Sequence, residues 1–212
     1  MTRSSHRAVC RASLLALVLV VLCRATALGS DADLSGTAGH PRTRLPLALH
    51  AASTGDAGLD AAVRQAVADW NALARETLGV DVFAPVARDS EAQVLVAFGG
   101  PRASGLMGQA EVGEREEVID LPVRVEVFAP ERRGATTRET LLYQILAHEL
   151  GHALGLPHAA DPASIMCCAG GSVDLGDPAT RAAYVHARRH PDVRSARAQL
   201  AEHYARLWRA DR

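Results

Sequence analysis

The chain carries almost no net charge: 23 basic and 24 acidic side chains leave −1 at pH 7, and the pI is near 6.8. Binding to nucleic acid draws on a basic excess, so nucleic acid is excluded as a bulk partner. Cysteine is scarce as well, with four residues in 212. Cys10 and Cys23 fall inside an N-terminal signal-like stretch, and the other two, Cys167 and Cys168, are adjacent. Neighbouring cysteines cannot staple distant segments, which excludes a fold built on disulfides. Long apolar runs are missing: Ala12 to Leu22 spans eleven residues, against about 20 for a membrane-spanning helix. Aromatic residues make up only 4% of the chain beside abundant alanine and arginine, a bias that reflects coding preference more than function. No internal repeat stands out. What remains suits one domain with a real core.

The N-terminus has its own pattern. Arg3, Arg7 and Arg11 form a positive region, Ala12 to Leu22 an apolar one, and Ala25-Thr26-Ala27 a small-x-small cleavage site. These features predict a secretory signal over residues 1–27 and a secreted or periplasmic protein. Leu22 is larger than a lipid-attachment signal tolerates before its cysteine, which disfavours lipoprotein anchoring at Cys23. Ser30 to Arg44 is rich in Gly, Ala, Asp and Thr and is expected to be flexible, giving a leader over 28–44 and a single domain over 45–212.

Within that domain, Leu45 to His50 reads as a first strand and Asp60 to Leu78 as a long helix. Ala62, Val63, Ala66, Val67, Trp70 and Leu73 recur there at helical spacing, and Gly79 closes the run. Val80 to Val86, Gln93 to Phe98, Leu106 to Val112 and Val123 to Phe128 follow as strands, the last alternating apolar and charged residues. Thr136 and Glu139 have capping-box spacing before a further helix, in which Leu142, Ile145, Leu146 and Leu150 form the core-facing stripe. Asp177-Pro178 opens another helix and Pro191 separates it from the last, whose apolar face is Val193, Ala196, Leu200, Tyr204 and Leu207. That face is expected to dock on the domain. His186, His190 and His203 lack ligand spacing and are read as surface histidines.

The chemistry concentrates in His148-Glu149-Leu150-Gly151-His152-Ala153-Leu154-Gly155-Leu156-Pro157-His158, an H-E-x-x-H-x-x-G-x-x-H pattern. Residues four apart on a helix share a face, with Cβ atoms about 5–6 Å apart, so His148 and His152 can grip one ion. Gly155 permits the left-handed turn that brings His158 back as third ligand. Three neutral imidazoles plus an open position describe a catalytic zinc, and Glu149 is placed to act as general base on its water.

His158 makes the motif similar to that of the metzincins, and Met166, eight residues further on, matches their methionine turn at the matrixin interval. Leu59 to Trp70 resembles the matrixin first helix, Glu91 to Phe98 the third strand, and Gly105 to Ala110 the strand bordering the substrate cleft. The resemblance runs from about Leu45 to Met166. It implies an α+β fold with a twisted mixed five-stranded sheet, long helices and a cleft above the methionine turn, here with extra C-terminal helices. It also implies a zinc metalloendopeptidase with Glu149 as catalytic base and His148, His152 and His158 as ligands. Met166 would lie beneath the metal, and Met107, Gly108 and Cys168 would stand at the substrate. The partner would be a peptide or protein, bound by a monomer.

Departures from the family are specific. Gln109 stands where matrixins place a structural-zinc histidine, and Glu111, Glu114, Glu116, Glu117 and Asp120 have no calcium-loop spacing. One zinc, no structural zinc or calcium, and a solvated acidic loop are therefore expected. No propeptide with an inhibitory cysteine is recognisable. Cys168 occupies the place of a tyrosine in some metzincins, and three states stand open for the Cys167-Cys168 pair: a vicinal disulfide, buried thiols, or a thiolate approaching zinc. A non-proteolytic zinc-binding module and an exopeptidase remain as alternative functions.

Overall fold

The computed structural model describes residues 34–99, 107–128, 136–169 and 172–210. The signal segment with Cys10 and Cys23, and the Gly100-Pro101 break through Leu106, lie outside the described residues. The strands are β1 (Leu47–Ala51), β2 (Phe83–Pro85), β3 (Val94–Gly99), β4 (Gly108–Glu111), β5 (Glu114–Arg115), β6 (Val118–Ile119) and β7 (Val123–Phe128). The helices are α1 (Ala57–Leu78), α2 (Arg138–Ala153), α3 (Pro178–Arg189) and α4 (Arg197–Ala210). Five strands form one mixed sheet in the order β2-β1-β3-β7-β4, parallel throughout except for β4, which runs antiparallel to β7. This is the α+β arrangement, with a mixed five-stranded sheet, that the resemblance implied. Among the described residues no helix is long and apolar enough to cross a membrane.

Each long helix forms for a local reason and is then fixed by packing. Asp56 caps α1 by accepting from the amides of Gly58 and Leu59, and Gly79 ends it in the left-handed region at φ 73°. Val63, Ala66, Val67, Trp70 and Leu73 are buried along its inner face. Trp70 also donates through Nε1 to the Ala147 carbonyl (2.9 Å), tying α1 to α2. On α2 the expected stripe of Leu142, Ile145, Leu146 and Leu150 is buried. Its cap is Thr137 rather than Thr136: the Thr137 hydroxyl accepts from Thr140 N (3.1 Å), which puts Glu139 one position short of a capping box.

One strand was expected too long, and one stretch expected as a loop is a hairpin. β2 is three residues long because the amides of Val82 and Phe83 are both taken by Asn71 Oδ1 of α1, at 3.0 and 2.9 Å. The acidic stretch is a β5–β6 hairpin whose turn residues Glu116 and Glu117 take positive φ, 52° and 63°. Its carboxylates do face solvent, but its backbone is paired.

That pairing comes from a segment expected to be loose. Within the predicted flexible leader, Gly39 bonds Glu117 O and Ile119 N, each at 3.0 Å, while Ala38 and His40 are buried. His40 Nε2 donates to Ala153 O (2.9 Å), and Trp208 Nε1 donates to His40 O (3.0 Å). Residues 34–44 therefore belong to the folded body. The reason lies at the C-terminus of α2, where helix carbonyls lack partners within the helix and need outside donors. Composition alone does not reveal such a demand. His203, expected at the surface, is likewise buried at 4% exposure in this seam.

Burial drives the His40 pKa down to about 4, only partly opposed by the Ala153 carbonyl, so the imidazole is neutral in the fold. The unfolded chain's imidazole binds its proton near pH 6.5. The unfolded state therefore takes up the proton first, and His40 costs the protein stability as pH drops from 6.5 to about 4, on the order of 3 kcal/mol in full. Urea unfolding between pH 7.5 and 4 should show a shallower loss of stability for His40→Gln than for wild type. Parallel curves would contradict the assignment.

Candidate metal centre

α2 carries His148 and His152 one turn apart on its inner, C-terminal half, where Leu146, Ala147 and Leu150 are fully buried. The helix then stops in a Schellman arrangement: Gly155 N bonds His152 O (2.8 Å) and Leu156 N bonds Gly151 O (3.0 Å). Gly155 has φ 85°, and a Cβ there would overlap the Ala38 carbonyl, so conformation and space both require glycine. This turn returns the chain to His158. The Nε2 atoms of His148 and His158 lie 3.2 Å apart, and those of His152 and His148 3.1 Å.

The proton positions follow from the other face of each ring. His148 Nδ1 is 2.8 Å from Ile165 O, and His152 Nδ1 is 2.8 Å from Leu156 O. A carbonyl can only accept, so both Nδ1 atoms carry the proton and both Nε2 atoms carry a lone pair. Burial, reinforced by His152 and opposed by the Ile165 carbonyl, with His158 and Arg188 adding smaller effects, holds His148 at about 3. Burial likewise holds His152 at about 4. Two neutral imidazoles whose lone pairs face each other at this distance repel unless a cation lies between them. Nitrogens bound to zinc at about 2.0–2.1 Å in tetrahedral geometry stand about 3.3 Å apart. The donor set and its spacing fit that ion.

A family model for matrixin matches residues 47–173, more than half of the chain. The chain belongs to the matrixin family. No curated protein matches it. Matrixins are zinc metallopeptidases, and the histidine trio of this matrixin is the group among its described residues able to hold a metal ion. Neither cysteine belongs to it.

The remaining candidate residues fall into place around the trio. Glu149, between the two helical ligands, is buried at 3% exposure. Gly108 opens β4 directly above it: a Cβ at that position would stand 2.8 Å from Glu149 Oε1 and 2.6 Å from Ile145 Cγ2. Met107 is half-buried and its carbonyl accepts from Phe128 N (2.9 Å), so that oxygen belongs to the sheet. Met166 is fully buried beneath the helix, its thioether filling the space above which Gly151 has no side chain. Cys167 and Cys168 are joined as a vicinal disulfide, the first of the three states considered. In this matrixin Gln109 donates to Glu126 Oε2 across the β4–β7 pair (3.2 Å).

Sequence reasoning missed the carbonyls of Ile165 and Leu156. A main-chain acceptor leaves no residue-type signature, so nothing in the residue pattern names them. Gly151→Ala should push Met166 out of its seat at a cost of about 1–3 kcal/mol. Calorimetry with and without chelator should find the loss larger for the metal-loaded protein. An unchanged melting temperature would mean the thioether yields freely.

Proposed function

We propose that this matrixin is a secreted zinc metalloendopeptidase in which Glu149 is the general base. The observation that carries the reading is that a Cβ on Gly108 would meet the Glu149 carboxylate, so the end strand of the sheet passes close to the glutamate that adjoins the histidine trio. Zinc held by His148, His152 and His158 would supply Lewis acidity to a water and to the scissile carbonyl. Glu149 takes the proton of the attacking water and returns it to the departing amine. The backbone at Gly108 limits where that carboxylate can sit, and a fixed base is an effective one.

β4 supports the substrate assignment. It is the end strand of the sheet and already pairs antiparallel on its inner side, so an extended peptide can add along its outer side. A strand-like cleft of this kind suits cleavage within chains. Met166 would support the ligands from below without coordinating, and Cys168, two residues further on, would stand at the substrate. One catalytic zinc is proposed and no structural zinc or calcium, since Gln109 is spent on Glu126 where the family has a ligand. The protein would act as a monomer on peptides or proteins. Secretion rests on the signal pattern of residues 1–27.

Glu149→Gln should keep zinc at wild-type stoichiometry and lose about 10²–10⁴ in kcat, the range for a positioned acid–base group. Near-full activity in that variant would remove Glu149 from the mechanism. His152→Ala should lose both zinc and activity. Casein and blocked peptides, digested in parallel with a chelator control, test the reaction class: trimming of ends alone means an exopeptidase, and no cleavage means a binding module. Gly108→Ala is expected to retain zinc while kcat falls at least about tenfold, as misplacement of a catalytic group does. Unaltered kcat would show that β4 does not position the base.

A further inference from the structure

We infer that the segment beyond the family match, residues 177–209, is a two-point brace on the methionine turn, with Ser195 and Arg188 as positioning residues for the ligand His148. The inference rests on the zinc reading above. It concerns residues after 173, where the matrixin match ends.

Ile165 is held at both ends. Its carbonyl accepts from His148 Nδ1 (2.8 Å), and its amide donates to Ser195 Oγ (2.8 Å). The Ser195 hydroxyl in turn donates to Asp192 O (2.6 Å), which commits its proton and leaves a lone pair for the Ile165 amide. A short 3₁₀ turn over Val193–Ala196 carries Ser195. Asp192 caps it by accepting from Arg194 N (2.8 Å), while Val193 and Ala196 anchor it in the core. The hydroxyl therefore sits on a fixed platform.

The second point lies two residues further along the turn. Arg188 Nη2 donates to Cys167 O (2.6 Å), with its guanidinium carbon 4.8 Å from the centre of the Tyr184 ring. No residue of α3 is buried, so this bond is not a by-product of core packing. Between the two points, Met166 N bonds Ser164 Oγ (3.1 Å) and Met166 O accepts from Ala159 N (2.9 Å). Ile165 is 2% exposed, so its amide has little access to water if Ser195 Oγ is removed. The turn must then shift, and the carbonyl that orients His148 shifts with it. Partners that orient a metal-binding imidazole govern affinity by about 10–100-fold.

The test measures zinc affinity by chelator competition and the visible spectrum of the cobalt(II)-substituted full chain, neither of which needs proteolysis. Ser195→Ala and Arg188→Gln should each weaken zinc binding about tenfold, the lower end of that range, and shift the cobalt bands. Ser195→Thr and Arg188→Lys should recover most of the loss. Asp56→Ala, which removes the remote cap of α1, should lower the melting temperature without moving either readout. Ser195→Ala and Arg188→Gln that melt earlier but keep wild-type affinity and spectrum would overturn the brace and leave ordinary packing. Should Ser195→Ala fail to fold, the two Arg188 variants decide alone. Wild-type protein that binds no zinc overturns the metal-site reading and the brace with it; zinc binding that the variants leave unmoved overturns the brace only.

Discussion

An imidazole offers a metal its lone pair from one nitrogen only while its proton is held on the other, and two main-chain carbonyls do that holding here. Ile165 O and Leu156 O each stand 2.8 Å from an Nδ1, which turns Nε2 of His148 and His152 towards a common point. The two acceptors come from different places. Leu156 belongs to the turn that ends α2, so His152 is oriented by its own helix terminus. Ile165 belongs to the methionine turn, so His148 is oriented from across the site. Burial adds to this by keeping both rings neutral across the physiological range.

The C-terminus of α2 is where the rest of the chain converges. Helix ends leave carbonyls that the helix cannot satisfy, and a buried end must find donors elsewhere. His40 supplies one to Ala153 O and the Tyr204 hydroxyl another to Leu154 O (3.1 Å). Those donors belong to segments near opposite ends of the described chain, and Trp208 Nε1 links them through His40 O. The close passage of Ala38 over Gly155 belongs to the same seam. A helix terminus that shapes a metal site thus also fastens residues 34–44 and α4 to the domain.

The residues that the sequence reading set apart from the family pattern have structural partners. Gln109 pairs with Glu126 on the neighbouring strand, and the acidic stretch folds into a hairpin fastened by Gly39. Cys167 and Cys168 are joined to each other, and Arg188 holds the Cys167 carbonyl. The three histidines and Glu149 keep the spacing of the H-E-x-x-H-x-x-G-x-x-H pattern.

The sequence by itself determined the histidine trio, the glutamate beside it and the elements that carry them. Three histidines on fixed spacing, an apolar stripe of period 3.6 on α1 and α2, and alternation on β7 are local signals, each written in side-chain types within one turn or one strand. Even there the boundary residues slipped: Thr137 took the cap from Thr136, and Asn71 shortened β2 by claiming two amides. Only the tertiary structure decided that residues 34–44 pack, that His203 is buried, and which carbonyls turn the ligand rings. The physical reason is common to all three. Backbone donors and acceptors are the same at every non-proline residue, so which one meets which across dozens of positions is settled by packing, and no residue letter records it.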